Sequence, residues 1–157
     1  MTHFQSAPDG NGLRVCILAS RFNLMVTDRL VDGAREALLS AGVADSAIDV
    51  VSVPGAWELP LAALAATTRG YDAIVAVGCI IRGQTAHFEH LGRAAVDGLA
   101  RVQEDTGVPI GLGILTPEDL QQALARAGGE VGHAGTQAAE AALEQAALLA
   151  RLRRDDG

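Results

Sequence analysis

The stretch GCIIRGQTAHFEH, Gly78 to His90, begins as an apolar run that stops at Ile81. Arg82, Gly83, Gln84, Thr85 and His87 then arrive within six positions, where an apolar helical pattern starts. A cation, a glycine, a hydroxyl and an imidazole at a strand-to-helix junction suit anion binding coupled to proton transfer. Gly83, Gln84 and Thr85 precede the helix, where unpaired backbone N–H groups and the positive end of the helix dipole attract an anion. Thr85 either caps the helix or touches a phosphate oxygen. His87 falls in the first turn, and imidazole is the side chain that accepts and returns a proton near neutral pH. The segment is not a Walker motif, and no GxGxxG follows any strand, so neither standard nucleotide site is expected. His90 follows His87 with Glu89 between them, which is not the HExxH spacing, so no metal site is expected. His90 and His3 read as solvated.

Other strand ends carry further candidates. SRFN brings Phe22, VPGAWELP brings Trp57 and Glu58, and LTPED follows the last strand. The chain has only five aromatic residues, and Phe22, Trp57 and Phe88 sit just beyond strand ends. Two readings stand: these rings plug the edge of the sheet, or they form a flat apolar slot for a planar ligand. Arg126 lies off the stripe formed by Leu120, Leu124 and Ala127; in a monomer it is solvated, and in an oligomer it reaches toward a neighbour's anion site.

Four apolar runs must position these groups: Arg14 to Ser20, Ile48 to Val53, Ala73 to Cys79 and Ile110 to Leu115. They are nearly continuous in hydrophobicity, the pattern of parallel strands covered on both faces. Helical periodicity fills the intervals, with Leu30, Val31, Ala34, Leu38 and Ala41 in the first, Leu59 to Thr68 in the second, and Phe88, Leu91, Ala95, Leu99 and Val102 in the third. Thr116-Pro117 reads as the start of the next helix. An alanine-rich helix from about Thr136 to Leu152, suited to close packing, ends the pattern. Strand and helix alternating four times predict an α/β fold: a parallel sheet between helices, with ligands at the carboxyl ends of the strands. Residues 1–12 read as a flexible arm rather than a secretory signal, and residues 13–157 as one domain.

Composition narrows the function. Of 157 residues, 49% are hydrophobic and 20% charged, enough for a full core. The net charge of −7 and a pI near 4.9 argue against a nucleic-acid binder. No apolar run has the length of a membrane span. Cys16 and Cys79 each lie inside an apolar run and read as buried hydrophobes in a reducing cytoplasm. All 12 basic side chains are arginine. With no lysine, a Schiff base on the enzyme is excluded, and any imine must use a substrate's amine.

Taken together, SRFN, VPGAWELP, YDAIVAVGCIIRGQTAHFEH, GILT and QALARAGG resemble the 6,7-dimethyl-8-ribityllumazine synthases, from about Leu13 to Leu149. The resemblance implies a flavodoxin-like three-layer sandwich with a four-stranded parallel sheet. It implies condensation of 5-amino-6-(D-ribitylamino)uracil with 3,4-dihydroxy-2-butanone 4-phosphate, the penultimate step of riboflavin biosynthesis, with no metal and no organic cofactor. The butanone phosphate would lie on Gln84 and Thr85, with His87 carrying protons for imine formation and phosphate loss. The pyrimidine would stack on Phe22. Its polar edge and ribityl chain would meet Ala56, Trp57 and Glu58, above Cys79, Ile80 and Ile81. Arg126 of an adjacent subunit would clamp the phosphate, because the family forms pentamers with the site at the seam. In some members twelve pentamers make a hollow icosahedral shell, and the short turn AGGEVGHAG (Ala127 to Gly135) favours that state here.

Four positions depart from the family pattern. Leu112 stands where many members carry phenylalanine, which weakens one apolar wall of the ring slot. Trp57 also replaces a phenylalanine. His133 and Ala134 stand in GHAG where GNKG is usual, removing a lysine thought to assist at the phosphate end. Two other readings accompany the enzyme: a non-catalytic flavin or lumazine carrier or shell protein on the same fold, and an FMN electron carrier. The latter would need a hydroxyl-rich phosphate loop where this chain has RFN.

Overall fold

The computed structural model describes residues 1–155; the last two residues of the expected 13–157 domain lie outside the described part. Four strands, β1 (Val15–Ser20), β2 (Ile48–Val53), β3 (Ala73–Cys79) and β4 (Ile110–Leu115), form one sheet in the order β2-β1-β3-β4. Every pairing is parallel. The helices are α1 (Leu24–Ser40), α2 (Leu59–Ala66), α3 (His87–Thr106), α4 (Leu120–Ala125) and α5 (Ala134–Asp155). This is the expected flavodoxin-like sandwich.

Alternation along β1 builds two cores. Val15, Ile17 and Ala19 face one layer with Leu30 and Leu38 of α1 and Ala139 and Leu143 of α5. Cys16 and Leu18 face the other, with Leu59 and Ala63 of α2 and Ala95 and Leu99 of α3. The alanines of α5 do bring that helix close. Ala138 lies against β4 so tightly that a Cβ at Gly111 would overlap its carbonyl, so only glycine fits there.

One expectation fails at β2. It was read as covered on both faces, yet Asp49 to Ser52 are exposed, with Val50 48% and Val51 40% accessible. The cause is position: β2 is an edge strand, paired only with β1. At the other edge Leu112 is also half exposed. A second correction concerns α4. The helix starts at Leu120, not at Thr116-Pro117, because Asp119 takes the cap, its carboxylate accepting from the Gln122 N–H at 2.8 Å.

The amino end of the sheet is stapled by a polar cluster. The Tyr71 hydroxyl donates to the Asp49 carboxylate at 2.5 Å, and the Arg14 guanidinium lies 4.8 Å from the centre of the Tyr71 ring. Donation to Asp49 pushes the Tyr71 hydroxyl above its ordinary pKa. Nearby, burial first and the Asp49 charge second push the Cys16 thiol up to about 12. Residues 1–12 contain no helix or strand. Gly10 N–H donates to the Ala41 carbonyl, and Arg151 lies over the Phe4 ring. Among the described residues, no helix is long and apolar enough to cross a membrane.

Candidate active site

Three loops at the carboxyl ends of β1, β2 and β3 enclose a cavity of about 870 Å³. That is ample for a bicyclic ligand with a side chain.

The first loop depends on Asn23, the one non-glycine residue with positive φ among those described (φ 64). Asparagine tolerates this left-handed conformation better than most residues. Its side-chain amide donates to the Cys79 carbonyl at 2.8 Å, and its own carbonyl accepts from the Val26 and Thr27 N–H groups of α1. Arg21 N–H meanwhile donates to Val53 O at 2.8 Å. Phe22 is held between these anchors and turned outward, 72% exposed.

The second loop is a one-turn 3₁₀ segment, Ala56–Glu58, running into α2. Glu58 folds back on it: its carboxylate accepts from Gly55 N–H at 2.9 Å, and its own N–H donates to Gly55 O at 3.2 Å. This fixes Glu58 at the cavity wall with the second carboxylate oxygen uncommitted by that bond. Ala56 is buried and Trp57 is 66% exposed.

The third loop continues β3. Ile80 N–H donates to Leu115 O and Arg82 N–H to Pro117 O, so pairing with the β4 segment persists past the strand. Cys79 and Ile80 are buried and form the floor with Ile81. Burial pushes the Cys79 thiol up to about 11, which makes it an inert apolar wall at neutral pH. Arg82 does not line the cavity; it reaches Glu118 at 3.2 Å and Glu89 at 4.0 Å. Thr85 accepts from the His87 N–H at 3.4 Å, while Ala86, at the cap position of α3, offers no side-chain cap. The first turn of a 20-residue helix therefore opens toward the cavity with Gly83, Thr85 and His87 around it.

Of the residues singled out from sequence, Phe22, Ala56, Trp57, Glu58, Cys79, Ile80, Ile81, Thr85 and His87 line one cavity. Gln84 is exposed on the same turn but does not line it. Leu112 on β4 and Arg126 at the end of α4 lie outside it in the same chain. Phe88, His90, Leu91 and Ala94 also line the wall. Their signal was present: His90, Leu91 and Ala94 follow His87 at helical spacings of three, four and seven. His90, read as solvated, is indeed exposed, but on the cavity side of α3. Among the described residues no cluster of His, Cys, Asp and Glu could hold a metal ion.

Comparison with known proteins places the chain among its relatives over nearly its whole length. The family model for 6,7-dimethyl-8-ribityllumazine synthase matches residues 12–150. A 6,7-dimethyl-8-ribityllumazine synthase of Xanthomonas campestris pv. campestris (strain B100) is 47% identical over 150 residues, covering 95% of this chain and 97% of the relative. One of Stenotrophomonas maltophilia (strain K279a) is 51% identical over 140 residues, 88% of this chain and 90% of the relative. One of Xylella fastidiosa (strain 9a5c) is 45% identical over 153 residues, 97% and 99% of the two chains. With a parallel four-stranded sheet, a strand-end cavity and this extent of similarity, the chain belongs to the 6,7-dimethyl-8-ribityllumazine synthase family.

Proposed function

We propose that this cavity condenses 5-amino-6-(D-ribitylamino)uracil with 3,4-dihydroxy-2-butanone 4-phosphate to give 6,7-dimethyl-8-ribityllumazine, phosphate and water. The observation that carries the reading is the convergence of Phe22, Glu58 and His87 on one cavity beside the first turn of α3. The pyrimidine lies on the exposed Phe22 ring, with Glu58 and the 3₁₀ turn against its polar edge. The phosphate sits at Gly83 to Thr85, where N–H groups and the helix dipole favour an anion.

The chemistry then needs little from the chain. The pyrimidine's amine attacks the ketone carbon; the carbinolamine loses water and becomes an imine. The imine acidifies the neighbouring C–H, and loss of that proton expels phosphate from the next carbon. The resulting enol takes up a proton to become a ketone, the ribitylamino nitrogen adds to it, and loss of a second water closes the lumazine ring. His87, in the first turn beside the phosphate, accepts and returns these protons. The remainder of the rate comes from holding the two reactants together in a mostly apolar cavity.

The same reading assigns Leu112 and Arg126 to a neighbouring subunit's site. Both are exposed and outside their own cavity. The exposed apolar faces of Val50, Val51, Leu61 and Leu64 support self-association. Pentamers, with a sixty-subunit shell as the full assembly, in the cytoplasm, complete the proposal.

Mixing the purified protein with both substrates should generate lumazine fluorescence. His87→Ala should lose turnover toward the lower end of the ~10²–10⁴-fold range for a positioned acid–base group, with binding of a pyrimidine analogue retained. Analogue binding without any product would instead identify a carrier.

A further inference from the structure

His133 stands at the cap position of α5, immediately before Ala134. Its Nδ1 accepts from the Thr136 N–H at 3.4 Å, which puts the ring proton on Nε2. The imidazole packs against the backbone at two glycines. On α1 it rests on Gly33, where any Cβ would overlap the ring. On the loop after α4 it rests beside Gly128, whose ideal Cβ position is 3.2 Å from ring Cδ2. Thr136 completes the contact by donating its hydroxyl to Gly33 O at 3.3 Å.

This ring sits at the base of the loop that presents Arg126. His133 pairs with Ala127 in an antiparallel bridge. Ala134 N–H donates to the Arg126 carbonyl at 2.8 Å, and Gly128 N–H to Gly132 O at 2.9 Å. The Arg126 backbone is thereby tied to the first residue of α5, and the imidazole fixes where that residue sits relative to α1. Without the ring, Gly33 and Gly128 leave a gap that neither can fill, and the Thr136 N–H loses its acceptor. The loop then has only its own backbone bonds to hold its position.

We infer that His133 is a positioning residue for phosphate binding: it wedges the Ala127–His133 loop between α1 and α5 and so aims Arg126. The inference rests on the assignment of Arg126 to the phosphate. The histidine suits this seat because it combines an acceptor for the helix cap with a flat ring that fills the space over two glycines.

Michaelis constants measured separately for the two substrates test this in five variants, each checked for folding by circular dichroism. His133→Ala should raise the constant for the butanone phosphate several-fold and leave the pyrimidine constant and kcat near wild type. His133→Asn, which keeps an acceptor for Thr136, should recover part of the loss. Gly33→Ala, which pushes the ring out while keeping it in the chain, should reproduce the loss; pairing it with His133→Asn should relieve it. Where His133→Ala does not fold, His133→Asn and Gly33→Ala decide. Arg126→Ala serves as the reference. If it raises the phosphate constant while the ring variants do not, or if the ring variants raise both constants equally, the positioning role is wrong and the Arg126 assignment stands. If Arg126→Ala has no effect on the phosphate constant, both fall.

Discussion

Asn23 donates its side-chain amide to the carbonyl of Cys79 at 2.8 Å, joining the β1–α1 turn to the end of β3 across 56 positions of sequence. Its φ of 64 is left-handed, so the residue fulfils two conditions together: a backbone that few side chains accept and a donor aimed at the next strand. Asn23→Gly keeps the first and loses the second, and should cost about 1 kcal/mol. Asn23→Ala loses both, and should cost about 2 kcal/mol or more. Urea unfolding gives the two values; equal costs would mean that the backbone conformation is unstrained there. Because Phe22 is the preceding residue, both variants should also weaken pyrimidine binding.

Phe22 itself is tested by discrimination between substrates. Phe22→Ala should raise the Michaelis constant for the pyrimidine about fivefold, from a stacking contribution of about 1 kcal/mol, and change that of the phosphate substrate little. Equal changes would return Phe22 to a plug at the sheet edge.

The two thiols predict alkaline behaviour. Burial pushes Cys16 up to about 12 and Cys79 up to about 11, from an ordinary value of 9.0. As pH rises past about 9 the unfolded chain releases these protons before the native one does. The stability tied to them is complete below that pH and is lost as pH climbs through the two folded values. The urea midpoint should fall between about pH 8 and about pH 10.5, and Cys79→Ala should reduce the fall. At neutral pH iodoacetamide should label neither thiol until the protein is unfolded; rapid labelling of Cys79 in the native protein would contradict an inert cavity floor.

Arg126 and His87 provide a test of a shared site. Each alanine variant alone should be impaired. Co-assembled, they should regain activity, because some seams then pair an intact Arg126 with an intact His87. Mixed oligomers verified by mass spectrometry that show no recovery would place both groups in the same subunit's site.

Much of the fold was legible because parallel strands are short apolar runs with abrupt ends. β2, β3 and β4 begin and end where those runs do; β1 is shorter by Arg14, whose N–H goes to the Asp72 carboxylate rather than to the ladder. Coverage was less legible. β2 reads as apolar as β1, and only its place at the edge leaves Val50 and Val51 in water. The start of α4 was misplaced because two cap signals compete within four residues, and the Asp119 carboxylate prevails over Thr116. In the cavity, groups at strand ends could be found from the sheet alone. His90 required following the α3 face one turn beyond His87, and Asn23 required knowing that its backbone is left-handed.

The uncovered edge strand β2 also has a thermodynamic consequence. A surface that closes over Val50 and Val51 binds the native chain and has nothing to grip on the unfolded one. By mass action, such binding adds to native stability in proportion to the logarithm of the free partner concentration. If that partner is another copy of this chain, the melting temperature is not a constant of the molecule but rises as the solution is made more concentrated. Dilution becomes a denaturant, and thermal scans over a wide dilution series would report the strength of the contact on β2 without resolving any assembly at all.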